Sequence, residues 1–372
     1  MAEFKRYLYQ QIKQDLSEKM VFLAGPRQVG KTTVAQQLLD KTKEGYLNWD
    51  IPEQRERILK RQWPLTNLWV FDEVHKYRQW RNMLKGVYDE YHEQKKILVT
   101  GSAQLGFYRY GGDSLQGRYH YLRMHPLSVA ELAITNSTDL MELLKLGGFP
   151  GPFFSANAIT AKRWSREYRV RLIEEDVRSL ERVHDVGQLE LLMLRLPELV
   201  GSPLSVNSLR EDLQVSHKTV THWLEILERL YALFRLPPFG STKLRAVKKE
   251  QKHYHFDWTL VEDQALRFEN LVACHMLKWV HWQQDVHGED LTLSYFRDVD
   301  GREVDFIITN HGKPVQAIEC KWQDKDVSTS LRYLKRRFSD CEMWQISAVG
   351  KKNYLSEGVR VAPAVEFLKT LV

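Results

Sequence analysis

Cysteine is scarce in this chain: Cys274, Cys320 and Cys341 are the only three among 372 residues. An odd number at wide spacing excludes a disulfide framework and fits no metal-binding spacing. Reduced thiols and a cytoplasmic location are therefore expected. Long apolar runs are missing too. None approaches the roughly 20 residues that cross a bilayer, and the opening Met-Ala-Glu-Phe-Lys-Arg lacks the hydrophobic region of a secretion signal. No membrane contact is expected. Nor is there a strong charge of either sign. The 54 Lys and Arg against 48 Asp and Glu leave +6, which permits nucleic-acid contact without demanding it. Aromatic side chains are plentiful, with 11 Trp and 16 Tyr, which implies large buried or stacking surfaces. The length suggests two or three domains.

The most informative stretch is Gly25-Pro-Arg-Gln-Val-Gly-Lys-Thr-Thr33. Its spacing, G-x-x-x-x-G-K-[ST], is the phosphate-binding loop signature. The apolar run Met20-Val-Phe-Leu-Ala24 before it predicts a buried strand, and Val34-Ala-Gln-Gln-Leu-Leu39 after it predicts a helix. Strand, glycine loop and helix are the context the signature needs. Gly25 and Gly30 let the backbone of Pro26, Arg27, Gln28 and Val29 wrap phosphates, and the helix N-terminus adds N–H donors and a favourable dipole. Lys31 is expected on the β- and γ-phosphates and the Thr32 hydroxyl on Mg²⁺, with Thr33 completing the motif. These residues predict a bound nucleoside triphosphate.

Upstream, Leu8, Ile12 and Leu16 recur at four-residue steps, as in an amphipathic helix. Downstream, Tyr46 to Asp50 reads as a second strand, and Pro52 opens a helix over 53–61. Leu68-Trp-Val-Phe-Asp72-Glu73 is a strand that delivers two acids at its end, where a Walker B motif sits. Asp72 is expected to hold Mg²⁺, and Glu73 to orient or deprotonate the attacking water. The plainer alternative is a buried strand ending in solvated acids. Lys96-Ile-Leu-Val-Thr-Gly-Ser102 is the next apolar strand with a polar tip. The Ser102 hydroxyl there would meet the γ-phosphate or the attacking water, or else be a small turn residue. Ligands collect at the carboxyl ends of parallel strands, so Lys31, Asp72, Glu73 and Ser102 are expected at one sheet edge.

The run of motifs extends further: Phe71-Asp-Glu-Val-His75, Val99-Thr-Gly-Ser102, Ser114-Leu-Gln-Gly-Arg-Tyr119, Pro126-Leu-Ser-Val-Ala-Glu131 and Gly147-Gly-Phe-Pro150. In this order the chain resembles, over nearly its whole length, the prokaryotic AAA-type ATPases that carry a C-terminal domain of unknown function, DUF4143. The resemblance implies a core that binds ATP, with hydrolysis expected, and suggests that Arg118 answers the γ-phosphate in its own site or a neighbour's. The latter would require a homo-oligomer. The residues themselves give only a Gly-Arg after a glycine-rich loop, which an ordinary surface arginine also satisfies.

From Lys162 to Arg182 the pattern turns helical and basic, read either as a phosphate-contacting face or as a solvated one balanced by Glu174, Glu175 and Asp176. Residues 205–235 read as a helix-turn-helix whose second helix would present His217, Lys218, Thr219, Thr221 and His222 to a DNA groove. Glu225 and Glu228 on the same helix would oppose that, which leaves a purely protein-packing winged helix as the alternative. Lys243, Arg245, Lys248, Lys249 and Lys252 form a second basic segment, where a wing or solvated loop would lie.

In the last third, Phe268 to Leu277 reads as an apolar helix carrying Glu269, followed by strands at 302–308 and 315–321. Alternation puts Glu303 and Asp305 on one face of the first strand, and Glu319 and Lys321 on one face of the second. Asp305 with Glu319-x-Lys321 resembles the PD-(D/E)xK nuclease core. There the acids, completed by Glu269, would ligate Mg²⁺ and the lysine would help activate water. A nuclease fold used only for binding, or a structural salt bridge, are the alternatives. The Pro of the motif's name is absent before Asp305. The basic helix with Arg332, Lys335, Arg336 and Arg337 supplies backbone contacts or a solvated face.

The expected fold is α/β: an AAA-type P-loop ATPase with a parallel sheet over 1–155, a helical connector and winged helix over 156–250, and a PD-(D/E)xK nuclease-like α/β domain over 251–372. The expected ligands are ATP and Mg²⁺, with DNA as a partner of the C-terminal part. The rivals are a switch that binds a protein and never DNA, and an ATP-licensed Mg²⁺-dependent nuclease.

Overall fold

Five short segments between Met20 and Arg123, the three central ones largely apolar, become the strands of one sheet. The computed structural model describes residues 4–39, 41, 43–101, 115–177, 185–240 and 250–372, and divides into two units: 1–125 with 285–287, and 126–284 with 288–372. In the first unit the elements are α1 (Tyr9–Asp15), β1 (Met20–Ala24), α2 (Lys31–Leu38), β2 (Tyr46–Asn48), α3 (Pro52–Leu59), β3 (Leu68–Asp72), α4 (Trp80–Tyr91), β4 (Lys96–Gly101) and β5 (Tyr119–Arg123). The strands pair in parallel in the order β2-β3-β4-β1-β5. All of β1 and nearly all of β4 is buried, as a parallel sheet covered on both faces requires. Phe22, Trp69, Phe71 and Trp80 are the large members of its core. Leu8, Ile12 and Leu16 are buried as their spacing predicts. Pro52 stands in the first turn of α3, where its missing N–H has no partner to lose.

The strand order has a consequence for the site. Because β4 lies between β1 and β3, its tip separates the phosphate loop from the acids that end β3. The register pairs Asp72 with Thr100 and Ala24 with Gly101.

The second unit begins with α5 (Ser137–Leu146), α6 (Pro150–Phe154) and α7 (Ala158–Arg171), the last running on as a π-helical turn over Leu172–Val177. In the basic stretch of α7, Trp164 stacks on Tyr168 with ring centroids 4.9 Å apart, while Lys162, Arg163 and Arg166 are exposed. There follow α8 (Val186–Arg195), α9 (Val206–Leu213), α10 (His217–Arg229), and the antiparallel pair β6 (Leu233–Leu236) and β7 (Lys252–His255). The helix-turn-helix expected over 205–235 is thus followed by a two-stranded ribbon. Its helices start on serine caps: Ser205 Oγ accepts from Ser208 N and Ser216 Oγ from Thr219 N. Val220, Trp223, Leu224 and Leu227 form the buried face of α10.

After α11 (Gln264–His287) come β8 (Leu291–Arg297), β9 (Glu303–Asn310), β10 (Lys313–Lys321), α12 (Thr329–Arg337), β11 (Glu342–Ser347), β12 (Tyr354–Ser356), β13 (Val359–Pro363) and α13 (Ala364–Leu368). The six strands form a mixed sheet in the order β12-β13-β11-β10-β9-β8. The chain is therefore α/β, a parallel sheet of the P-loop ATPase kind followed by a mixed one. One expectation needs correcting. Sequence groups Lys252 with a basic segment forming a wing or solvated loop; it opens β7 of the ribbon, but it is 1% exposed and not a solvated contact residue. Its cationic end is taken up by acids of the mixed sheet and α11, which keep it charged despite its burial.

Three buried histidines each add an acid-sensitive contribution to the stability of this unit. Burial pushes His253 down to about 4, His255 to about 3 and His275 to about 4. His275 shows why: Val129 N donates to its Nε2 at 3.0 Å, while Nδ1 donates to Leu271 O at 2.8 Å. A second ring proton would set one N–H against another. With folded values below the ordinary 6.5, the unfolded chain takes up protons first on acidification. The histidines' contribution to stability should be fully present above about pH 6.5 and fall toward pH 4. A drop in urea midpoint from pH 7 to pH 5 that is no smaller in His275→Gln than in wild type would contradict this.

Candidate functional site

The phosphate loop is shaped by its glycines. Gly30 has φ 103° and caps α2 with no side-chain hydrogen bond, so no side chain caps the first-turn N–H groups. Gly25 has φ 149°, and a Cβ on it would lie 2.2 Å from Met124 O. Only glycine fits there. Lys31 is buried, and its ammonium donates to the carbonyls of Gly25 at 2.9 Å and Pro26 at 2.6 Å. Arg6 braces the same loop from before α1. Its guanidinium donates to Val29 O and, at 2.5 Å, to His125 O.

Asp72 ends β3 almost fully buried, at 3% exposure. Its Oδ2 accepts from Thr32 Oγ1 at 2.9 Å and Tyr46 OH at 2.5 Å, and its Oδ1 from Thr100 Oγ1 at 2.5 Å. Among the described residues its partners are three hydroxyls and no cation. Burial, and then the Asp72 charge, push the Tyr46 hydroxyl up, so it stays a donor. A buried carboxylate beside a threonine hydroxyl is an oxygen-rich set that suits a hard divalent ion such as Mg²⁺. The residues fit that ion.

Glu73 follows in the left-handed region, φ 57°, an uncommon place for a non-glycine residue. Its Oε2 lies 3.7 Å from His75 Nε2 and 3.5 Å from Lys76 Nζ, and Lys76 also reaches Asp50 Oδ2 at 2.5 Å. Burial pushes His75 down, so this imidazole is neutral. For Lys76 burial pulls down, but the Asp50 hydrogen bond and the Glu73 charge hold it up.

The structure thus brings Lys31, Thr32 and Asp72 together, with Glu73 next in chain. Ser102 lies outside the described residues, as do Lys243, Arg245, Lys248 and Lys249. Arg118 is elsewhere. It precedes β5, its carbonyl accepts from Met20 N at 3.2 Å, and its Nε pairs with Asp89 Oδ1 at 2.8 Å. The phosphate loop leaves the opposite end of β1, about five strand residues or roughly 16 Å away. Thr100, Tyr46 and Arg6 were not singled out from sequence. The polar tip of β4 was a visible signal for Thr100; nothing local marks the other two.

On α10, His217, Lys218 and His222 are exposed. Glu228, which sequence reading set against a nucleic acid, is paired with Arg235 at 2.5 Å. Glu225 is exposed.

The acids of the C-terminal sheet do converge, but around a residue outside the expected set. Lys252 Nζ lies 2.5 Å from Glu303 Oε1, 3.6 Å from Glu269 Oε1 and 3.9 Å from Asp305 Oδ1. Tyr254 OH donates to Glu269 Oε1 at 2.7 Å, and Cys320 N to Asp305 Oδ2 at 2.7 Å. Burial would pull the Lys252 ammonium down, but Glu269, Asp305 and Glu303 outweigh it and hold it up. Lys321 Nζ donates to Glu319 Oε1 at 2.6 Å, while Glu319 Oε2 is buried without a hydrogen-bond partner. Burial, then the Asp305 charge, push Glu269 up to about 8 and Glu319 to about 7. Among the described residues no three His, Cys, Asp or Glu side chains form a group that could hold a metal ion. No helix of the described residues is long and apolar enough to cross a membrane.

Residues 17–133 match the family model of an AAA domain, 137–270 that of a domain of unknown function (DUF8612), and 267–365 that of another (DUF4143). No curated protein matches the chain. Among solved structures, a RuvB variant from Thermotoga maritima is 16% identical, over 62% of this chain and 89% of that one, with a TM-score of 0.30. A signal-transduction ATPase with numerous domains and a tetratricopeptide repeat sensor, from Pyrococcus horikoshii, is 11% identical over 77% and 48%, with a TM-score of 0.24. Drosophila ORC bound to DNA is 13% identical over 66% and 89%, also at 0.24. At such scores nothing about individual residues follows from these likenesses. The chain carries an AAA domain, a nucleotide-binding module, ahead of a DUF4143 domain.

Proposed function

We propose that this chain is a Mg²⁺-dependent ATPase whose nucleotide cycle is coupled to DNA held by its helix-turn-helix. The observation that carries the nucleotide part is the Thr32–Asp72 contact of 2.9 Å beside the phosphate loop. It unites a hydroxyl and a buried carboxylate that has no cationic partner among the described residues. Lys31 and the N–H groups of the loop would bind the phosphates, and Thr32 with Asp72 would hold Mg²⁺, which neutralises phosphate charge when bound. Thr100 and Tyr46 would fix the carboxylate. Glu73 would take the proton of the attacking water or orient it. Ser102, next in sequence after β4, would contact the γ-phosphate or that water. Arg118 is about a strand's length from its own loop, so any contact with a γ-phosphate would be to a neighbouring copy's, in a homo-oligomer.

What supports DNA as partner is the exposed amino half of α10, with His217, Lys218 and His222, and the neutralisation of Glu228 by Arg235. The basic segment with Lys243, Arg245, Lys248 and Lys249 would add phosphate contacts.

The test is ATP turnover with and without duplex DNA, for wild type and Glu73→Gln, repeated at rising salt. DNA should stimulate turnover. Glu73→Gln should lower it by roughly a hundredfold while ATP still binds, and Lys218→Ala should weaken DNA binding and flatten its salt dependence. Turnover indifferent to DNA that does not bind would favour the switch that engages a protein instead. ATP bound without any turnover would reduce the first unit to a nucleotide sensor.

A further inference from the structure

We infer that Lys252 is the resident cation of the acidic cluster in the C-terminal sheet, so that this cluster takes no divalent metal and the DUF4143 part does not cleave phosphodiesters. The resemblance to a PD-(D/E)xK core implies a Mg²⁺ ion among Glu269, Asp305 and Glu319. The side chains present do not fit that ion. Glu269 and Asp305 face an ammonium instead, at 3.6 and 3.9 Å, and Glu303 closes on the same nitrogen at 2.5 Å. Lys252 is 1% exposed, so its charge is not shared with bulk water.

Further hydrogen bonds on these acids preserve this arrangement. Glu269 Oε1 also accepts from Tyr254 OH, and Asp305 Oδ2 from the backbone N–H of Cys320. Glu319 is bound to Lys321 through Oε1. Its Oε2 is the one buried acid oxygen in the cluster without a hydrogen-bond partner. A fixed ammonium facing Glu269 and Asp305 repels any cation placed between these acids, and the unpartnered Glu319 oxygen does not by itself give Mg²⁺ the near-octahedral oxygen coordination it requires. Lys252 already supplies the charge neutralisation for which a metal centre would need its ion. Its origin on β7, in the ribbon after the helix-turn-helix, couples that ribbon to the sheet through charge.

The experiment is a Mn²⁺ titration of the full, nucleotide-free chain followed by electron paramagnetic resonance, in an Asp72→Asn background that removes the ion expected at the phosphate loop. The parent should hold no Mn²⁺ at submillimolar concentration. Lys252→Ala should gain one bound ion per chain, and the further change Asp305→Asn should abolish that gain. Supercoiled DNA incubated with the parent and Mg²⁺ should stay intact. The inference is overturned by a Mn²⁺ ion on the parent that Asp305→Asn or Glu319→Gln removes, by DNA cuts that depend on Lys321, or by a folded Lys252→Ala that gains nothing. Should Lys252→Ala not fold, as judged by circular dichroism, the parent titration and the DNA assay decide alone.

Discussion

Lys31→Ala should lower ATP turnover by at least about a hundredfold, the scale seen when one preorganised donor to developing charge is lost. The ammonium sits within the loop, held by the carbonyls of Gly25 and Pro26 at 2.9 and 2.6 Å. It is therefore already placed, and little ordering is required when a triphosphate arrives. Alanine removes both the charge and its tether. Lys31→Arg does not rescue, because a planar guanidinium is too wide for a site enclosed by the loop backbone. Binding gives a readout independent of turnover. Saturating ATP should raise the unfolding midpoint of wild type, equivalent to about 2.7 kcal/mol at a hundred times the dissociation constant, and should leave Lys31→Ala unmoved. Wild-type turnover in Lys31→Ala would remove the phosphate loop from the reaction. An equal ATP-induced shift in both proteins would place nucleotide binding elsewhere.

The parts of this site that sequence displays are those whose geometry is local. Gly25 to Thr33 form one strand–loop–helix unit, so spacing alone carries the loop, and Asp72 and Glu73 announce themselves as acids ending an apolar strand. Tyr46 and Arg6 are invisible to such reasoning, and Thr100 shows only as part of a polar strand tip with no partner named, for a common reason. Tyr46 and Thr100 reach Asp72 because β2 and β4 flank β3, and strand order is not written in any local pattern. Arg6 reaches Val29 from before α1. Lys252 misleads in the opposite sense. It follows four other basic residues after position 242, so composition places it in solvent. Its three acids lie on α11 and β9, between 17 and 53 residues further on. Its neighbours His253, Tyr254 and His255 are all buried but polar by type, so β7 lacks the apolar signature of a core strand. The helix-turn-helix stands between these cases. Its apolar face was legible, whereas the pairing of Glu228 with Arg235 across the turn into β6 was not.

Lys278→Met should destabilise the second unit by about 3–5 kcal/mol, the usual consequence of deleting one partner of a buried ion pair. The motif Pro126-Leu-Ser-Val-Ala-Glu131 is organised around this lysine. Lys278 is 1% exposed on α11, donates to Ser128 Oγ at 2.7 Å and to Pro126 O at 3.4 Å, and pairs with the buried Glu131 carboxylate. Ser128 Oγ in turn donates to Val372 O at 2.7 Å and accepts from Glu131 N at 3.3 Å. Methionine fills much of the volume but takes the Lys278 ammonium away from the buried Glu131 carboxylate. The thermal midpoint of this unit should fall by roughly 6–20 °C. Glu131→Gln added to Lys278→Met should recover much of the loss, since a neutral amide needs no counter-ion. That recovery separates charge from packing: if the double variant is as unstable as the single one, the cost lies in the shape of the lysine stem, and the ion pair contributes little. A Lys278→Met midpoint equal to wild type would mean that Glu131 finds a proton or another partner at no cost.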